Sequence, residues 1–203
     1  MIEILVVGTV KSEPRFSHKT WGEKFYEFSI ASERHSGVID NLPCVASEVI
    51  AKGIKAGDRV KVQGDLRSFR HYDSNKCEIY IFADILETPE PDEMDQNEAW
   101  GEAYISKTSE PRETPLLRII TDMILKSVLG NNKFSYIPSI TWSRNAIRAA
   151  NMPRGTLVRI DGRFQSRQYT KVLENGEAEL RIAYELSLAI IEVIDDETEE
   201  KDA

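Results

Sequence analysis

The chain has 203 residues, of which 41% are hydrophobic and 30% charged, enough for one large domain or two of about 90 to 100 residues with a real core. No apolar run approaches the roughly 20 residues of a membrane helix, and Met1-Ile2-Glu3-Ile4 starts no basic-then-apolar leader, so a cytoplasmic protein without membrane contact is expected. The net charge of -8 argues against a nucleic-acid partner, since phosphate contacts need Lys and Arg, until its distribution is read.

Residues 1 to 88 carry 12 basic and 13 acidic groups, 89 to 113 carry 2 and 8, 114 to 194 carry 11 and 7, and 195 to 203 carry 1 and 6. The second half is thus basic by four, and the acidity sits in two polar stretches. In the first half Trp21-Gly22-Glu23-Lys24 reads as a hairpin turn, with Trp21 either a contact residue or, the favoured reading, a turn anchor. Period-2 alternation fails near residues 49 to 54, where a short helix fits, and resumes from Gly57 to Ser68 and over Ile79-Tyr80-Ile81-Phe82-Ala83. The stretch from 87 to 98, with two prolines and six carboxylates, reads as an exposed connection, giving a first domain over 1–88 and an acidic linker over 89–101.

The second half repeats the first. Residues 155 to 166 align with 57 to 68 at an offset of 98, each copy beginning with Gly and placing a second Gly seven residues on. Upstream, Ile137-Pro138-Ser139-Ile140 answers Leu42-Pro43-Cys44-Val45, a short helix fits 144 to 150, and residues 180 to 193 form the closing strand. Residues 119 to 128 fit a helix or a strand equally on pattern. The second domain spans 102–194, and 195–203 is an acidic tail expected to be disordered. Cys44 and Cys77 stand at no metal-ligand spacing and are read as reduced and structural.

The second half resembles the bacterial single-stranded DNA-binding proteins from about 103 to 192. The resemblance rests on Pro111-Arg112-Glu113-Thr114-Pro115, Tyr136-Ile137-Pro138, Trp142-Ser143-Arg144-Asn145-Ala146, Gly162-Arg163-Phe164-Gln165-Ser166-Arg167-Gln168-Tyr169 and Ala183-Tyr184-Glu185-Leu186. The first half looks like a diverged copy and begins as small primosomal proteins of the same fold do. The resemblance implies an all-β chain of two tandem oligonucleotide-binding (OB) barrels, five-stranded Greek keys each with a short helix, and a strand over 119 to 128. It also implies homodimers that assemble four barrels, and roles in DNA replication, recombination and repair. The tail lacks the family's apolar tip, which leaves recruitment of replication or repair proteins by that route unsupported.

Alternation along 157 to 169 puts Val158, Ile160, Gly162, Phe164 and Ser166 on one side and Arg159, Arg163, Arg167 and Tyr169 on the other. Tyr136 and Trp142, at an even separation on what reads as the neighbouring strand, share a face, and Arg144 follows. With Lys171 these residues form the candidate DNA-binding track: rings for bases, guanidiniums for phosphates and bases. The resemblance assigns base stacking to Tyr136, Trp142 and Tyr169. In the first half their counterparts at the first two positions are Asn41 and Ser47, so Arg59, Lys61, Arg67, Phe69 and His71 form only a secondary candidate set, and this half reads as mainly structural. Without a phosphate-cradling loop, a metal-ligand spacing or a nucleophile motif near His18, His35 or His71, neither catalysis nor a metal or cofactor is expected. The alternative reading is a primosome-accessory or protein-interaction OB protein that binds nucleic acid weakly.

Overall fold

The computed structural model describes residues 1–70, 77–173 and 176–194; His71 and the expected acidic tail lie outside them. The elements run β1 (Ile2–Val10), β2 (Arg15–Thr20), β3 (Glu23–Glu33), β4 (Ile39–Ser47), α1 (Glu48–Ala51), β5 (Arg59–Arg70), β6 (Cys77–Glu87), β7 (Gln96–Thr108), β8 (Arg112–Glu113), β9 (Ile119–Gly130), β10 (Lys133–Trp142), α2 (Ser143–Ala150), β11 (Leu157–Val172) and β12 (Ala178–Val193). The β1 strand pairs with both β3 and β5, and β7 with both β9 and β11, so each half closes into a barrel with its helix between the third and fourth barrel strands. Both are OB barrels, and the ambiguous stretch near 119 is a strand. Among the described residues no helix is long and apolar enough to cross a membrane.

The repeated glycines have a shared cause. Gly57 and Gly155 take positive φ, where a side chain is strained. Gly64 and Gly162 sit beside bulges, where a Cβ would lie 2.0 Å from the Phe82 carbonyl oxygen and 2.3 Å from that of Ser187. The closing strand leans onto the Gly strand there. The passed-over residues, Asp84 and Ala189, lie on the closing strands, so alternation along β11 runs on undisturbed: Val158, Ile160 and Phe164 are buried inward.

Two expectations are corrected. The acidic linker is shorter than 89–101, because residues 96 to 101 form the first half of β7 and pair antiparallel with 7 to 2 of β1. Polar side chains hide the start of this strand, where the buried positions ahead of Ile105 are the small Ala99 and Ala103, both essentially inaccessible. Nor is the remaining connection free: Lys61 donates to Glu93 at 2.7 Å, Arg59 pairs with Asp95, and Asp95 also accepts from the Glu33 amide at 2.7 Å. Second, Trp21 anchors nothing, being 97% exposed at the β2–β3 turn.

The β1–β7 ladder merges the barrels into one sheet of order β2-β3-β4-β6-β5-β1-β7-β11-β12-β10-β9-β8. Buried serines seal the seam. Ser127 Oγ accepts from the Ile2 amide at 3.0 Å, and Ser32 Oγ donates to the Gln96 carbonyl at 3.0 Å. Within the second barrel Asn97 continues the pairing of β7 with β11, donating to the Phe164 carbonyl at 2.6 Å and accepting from the Phe164 amide at 3.1 Å.

Candidate nucleic-acid interface

In β10, Ser135, Ile137, Ser139 and Thr141 point into the second barrel and are buried, which turns Tyr136 and Trp142 to its outer face. Tyr136 is 46% exposed, and its amide is held by Ser68 Oγ of the first barrel at 2.8 Å. Trp142 is half-buried, its indole N–H donating to Ser187 Oγ at 3.0 Å, which fixes one ring edge. Arg144 follows on α2, exposed and without an ion-pair partner among the described residues. The β10 strand is not adjacent to β11, as the sequence reading had it: β12 lies between, parallel to β10 at Ser139 to Thr141 and antiparallel to β11. This non-local pairing widens the platform by one strand.

Along β11, Arg159 is 65% exposed at its side chain and reaches Glu102 only at 3.9 Å. Arg167 pairs with Glu185 at 3.5 Å and lies 5.8 Å from the centre of the Tyr169 ring. Tyr169 and Lys171 are exposed.

Arg163 is placed differently. It is half-buried at the seam, its Nε without a partner and its Nη2 donating to Gln165 at 3.3 Å. Burial, then repulsion from Arg34, pushes its pKa down, and Asp40 opposes the shift. Asp40, fully buried on β4, takes two bonds of 2.6 Å from Arg34 and one of 2.9 Å from the Ser166 amide. One carboxylate therefore balances two guanidiniums where the barrels meet. Sequence reasoning missed this cluster because strand parity says nothing of what another domain lays across the outer face; the one available signal is that Asp40 aligns with Ser135 in the repeat.

The secondary set in the first barrel is mostly engaged within the molecule. Arg59 and Lys61 hold the connection, and Arg67 grips Asp65 with three contacts of 2.9 to 3.2 Å and lies 3.4 Å over the Phe82 ring. Phe69 is exposed. Phe82 continues into an aromatic row missed from the sequence: Phe25 at 5.7 Å and, stacked on Phe25 at 5.0 Å, His18.

A groove of about 1160 Å³ joins the two outer faces, lined by Tyr169, Arg181 and Tyr184 on one side and by Arg15, Pro43 and Tyr80 on the other. Among the described residues no three His, Cys, Asp or Glu side chains converge as a metal site requires.

No family model and no curated relative matches the sequence. Among solved structures, a deletion mutant of the single-stranded DNA binding protein from Thermus aquaticus superposes with a TM-score of 0.77 at 14% identity, over 100% of this chain and 98% of that one. The wild-type Thermus aquaticus protein gives 0.74 at 15% identity, over 96% and 93%. The dimeric N-terminal domain of PriB protein from Thermoanaerobacter tencongensis aligns at 34% identity over 43% of this chain and 97% of its own, with a TM-score of 0.38.

The chain therefore has the tandem OB architecture of the Thermus aquaticus protein from end to end.

Proposed function

We propose that the protein binds single-stranded DNA, without catalysis and with little regard to sequence, chiefly on the outer face of its second barrel. The observation that carries this reading is an asymmetry between two copies of one fold. In the second barrel Tyr136 and Tyr169 are exposed, Trp142 is half open, and Arg144, Arg159 and Lys171 hold no close ion pair among the described residues. In the first barrel Asn41 and Ser47 replace two of the rings, and Arg59, Lys61 and Arg67 are neutralised by Asp95, Glu93 and Asp65. Bases stack on the open rings whatever their identity, and the uncommitted cations take phosphates and release counterions. The half-buried Arg163 acts mainly by holding the seam, while the paired Arg167 exchanges Glu185 for a phosphate when the strand arrives.

The same reading gives the protein a part in protecting single strands during replication, recombination and repair, and makes it a homodimer that brings four barrels together. Light scattering at micromolar concentration tests the latter. Twice the chain mass of 23.1 kDa is expected, and a monomer contradicts it. The DNA reading is tested by binding of an oligothymidine to the wild type and to Tyr136→Ala and Tyr169→Ala.

A further inference from the structure

The turn between β2 and β3 has only Trp21 and Gly22 at its centre, since Thr20 pairs with Glu23. Both take positive φ, 52° and 87°, as a two-residue turn of this hand requires, and such turns favour Asn or Asp before Gly. The β9–β10 hairpin of the second barrel obeys that preference, with Asn131 and Asn132 at positive φ. A bulky aromatic is a poor choice at the first position, and burial offers no compensation, because Trp21 is 97% exposed. Neither the turn nor the core accounts for an indole here.

Its surroundings suit a single strand. Residues 15 to 24 carry three basic groups and one acidic in a barrel that is otherwise net acidic. Lys24 is committed to Glu48 at 2.8 Å, but Arg15 and Lys19 are exposed and make no ion pair among the described residues, although Glu27 lies opposite Arg15. Behind the turn the arm is braced by aromatics: Phe16 meets Tyr26 edge-on at 6.1 Å, and His18 stacks on Phe25. Arg15 also lines the groove that leads to Tyr169 of the second barrel. A rigid arm therefore presents an open indole with loose cations, at the loop position between the first barrel strands that OB proteins use for oligonucleotides.

We propose that the β2–β3 arm of the first barrel is a second strand-capturing element, in which Trp21 stacks on a base and Lys19 and Arg15 take the adjoining phosphates. This extends the single-strand reading of the second barrel and rests on it. The arm engages only strands long enough to leave that barrel and cross the groove.

The test uses the full chain. Trp100→Phe and Trp142→Phe leave Trp21 as the only tryptophan, and its emission is followed during titration with oligothymidines of about 10 and about 35 nucleotides, lengths bracketing one and several barrel sites. Quenching of Trp21 by the longer strand is expected. In the otherwise wild-type chain, Trp21→Ala should weaken binding of the longer strand about fivefold or more and leave the shorter unchanged. If the longer strand binds, yet Trp21 emission and the Trp21→Ala affinity do not change, the arm has no such role while the second-barrel reading stands. If neither strand binds the wild type, both fall together.

Discussion

Ile4 and Ala99 face one another across the β1–β7 ladder, and each occupies the same place in its own barrel. Gly8 pairs with Val60 as Ala103 pairs with Val158, so β1 and β7 correspond at an offset of 95, which carries Ile4 onto Ala99. A pseudo-two-fold axis passes between them, and one chain builds the self-complementary contact that two copies of a single barrel would make. The seam bonds obey the axis. Ser68 Oγ accepts from the Tyr136 amide at 2.8 Å as Ser166 Oγ accepts from the Asn41 amide at 3.0 Å, while the Ser68 and Ser166 amides donate to Ser135 Oγ at 3.1 Å and Asp40 Oδ1 at 2.9 Å.

That symmetry gives a paired experiment. Asp40→Ala leaves Arg34 and Arg163 facing each other in a largely buried site without their shared carboxylate, and should cost about 3 to 5 kcal/mol. Ser135→Ala, at the equivalent position, removes the acceptor of one backbone bond and should cost about 1 to 2 kcal/mol. Urea unfolding of the two variants measures the difference, and equal losses would remove Asp40 from its place as the charged clasp of the seam.

Acid should loosen the connection between barrels. The hydrogen bond from Lys61 holds Glu93 below its ordinary value of 4.5. A carboxylate with a depressed folded pKa contributes stability that is fully present above 4.5 and is lost as pH falls through the lower folded value. The stability gap between wild type and Lys61→Met should therefore be constant from neutral pH down to about 5 and shrink below 4.5. A gap that widens on acidification would contradict this origin.

The two thiols should part company. Cys44 is buried and desolvation pushes its pKa far up, whereas Cys77 is exposed and raised less. Since the thiolate is the reactive form, a disulfide reagent at pH 8 should label one thiol per native chain and both in denaturant, and Cys77→Ser should abolish the native reaction. Native labelling of that variant would contradict the burial of Cys44.

Much of the fold was open to the sequence, because its signals are local. Gly57 and Gly155 mark left-handed turns, Gly64 and Gly162 mark bulges, and the alternation between them is what a half-buried strand requires. The facing of Tyr136, Trp142 and Tyr169 followed from the same parity. What escaped depends on distant pairing or on the absence of contact. The insertion of β12 between β10 and β11, the start of β7 inside an acidic stretch, and the half-burial of Arg163 within the field of Asp40 are decided by segments far away in the chain. Trp21 misled for a simpler reason, since aromatics next to turn glycines usually pack, and only the folded structure reveals one that does not.

The most direct test of the central claim follows the emission of Trp142 in a chain carrying Trp21→Phe and Trp100→Phe, titrated at low and high salt with an oligothymidine of about 35 nucleotides. The account predicts strong quenching, an affinity that falls as salt rises, and losses of about 1 to 3 kcal/mol when Tyr136→Ala or Tyr169→Ala is added. Unchanged emission, with no binding by an independent assay, would contradict it and leave a paired OB scaffold with some other partner.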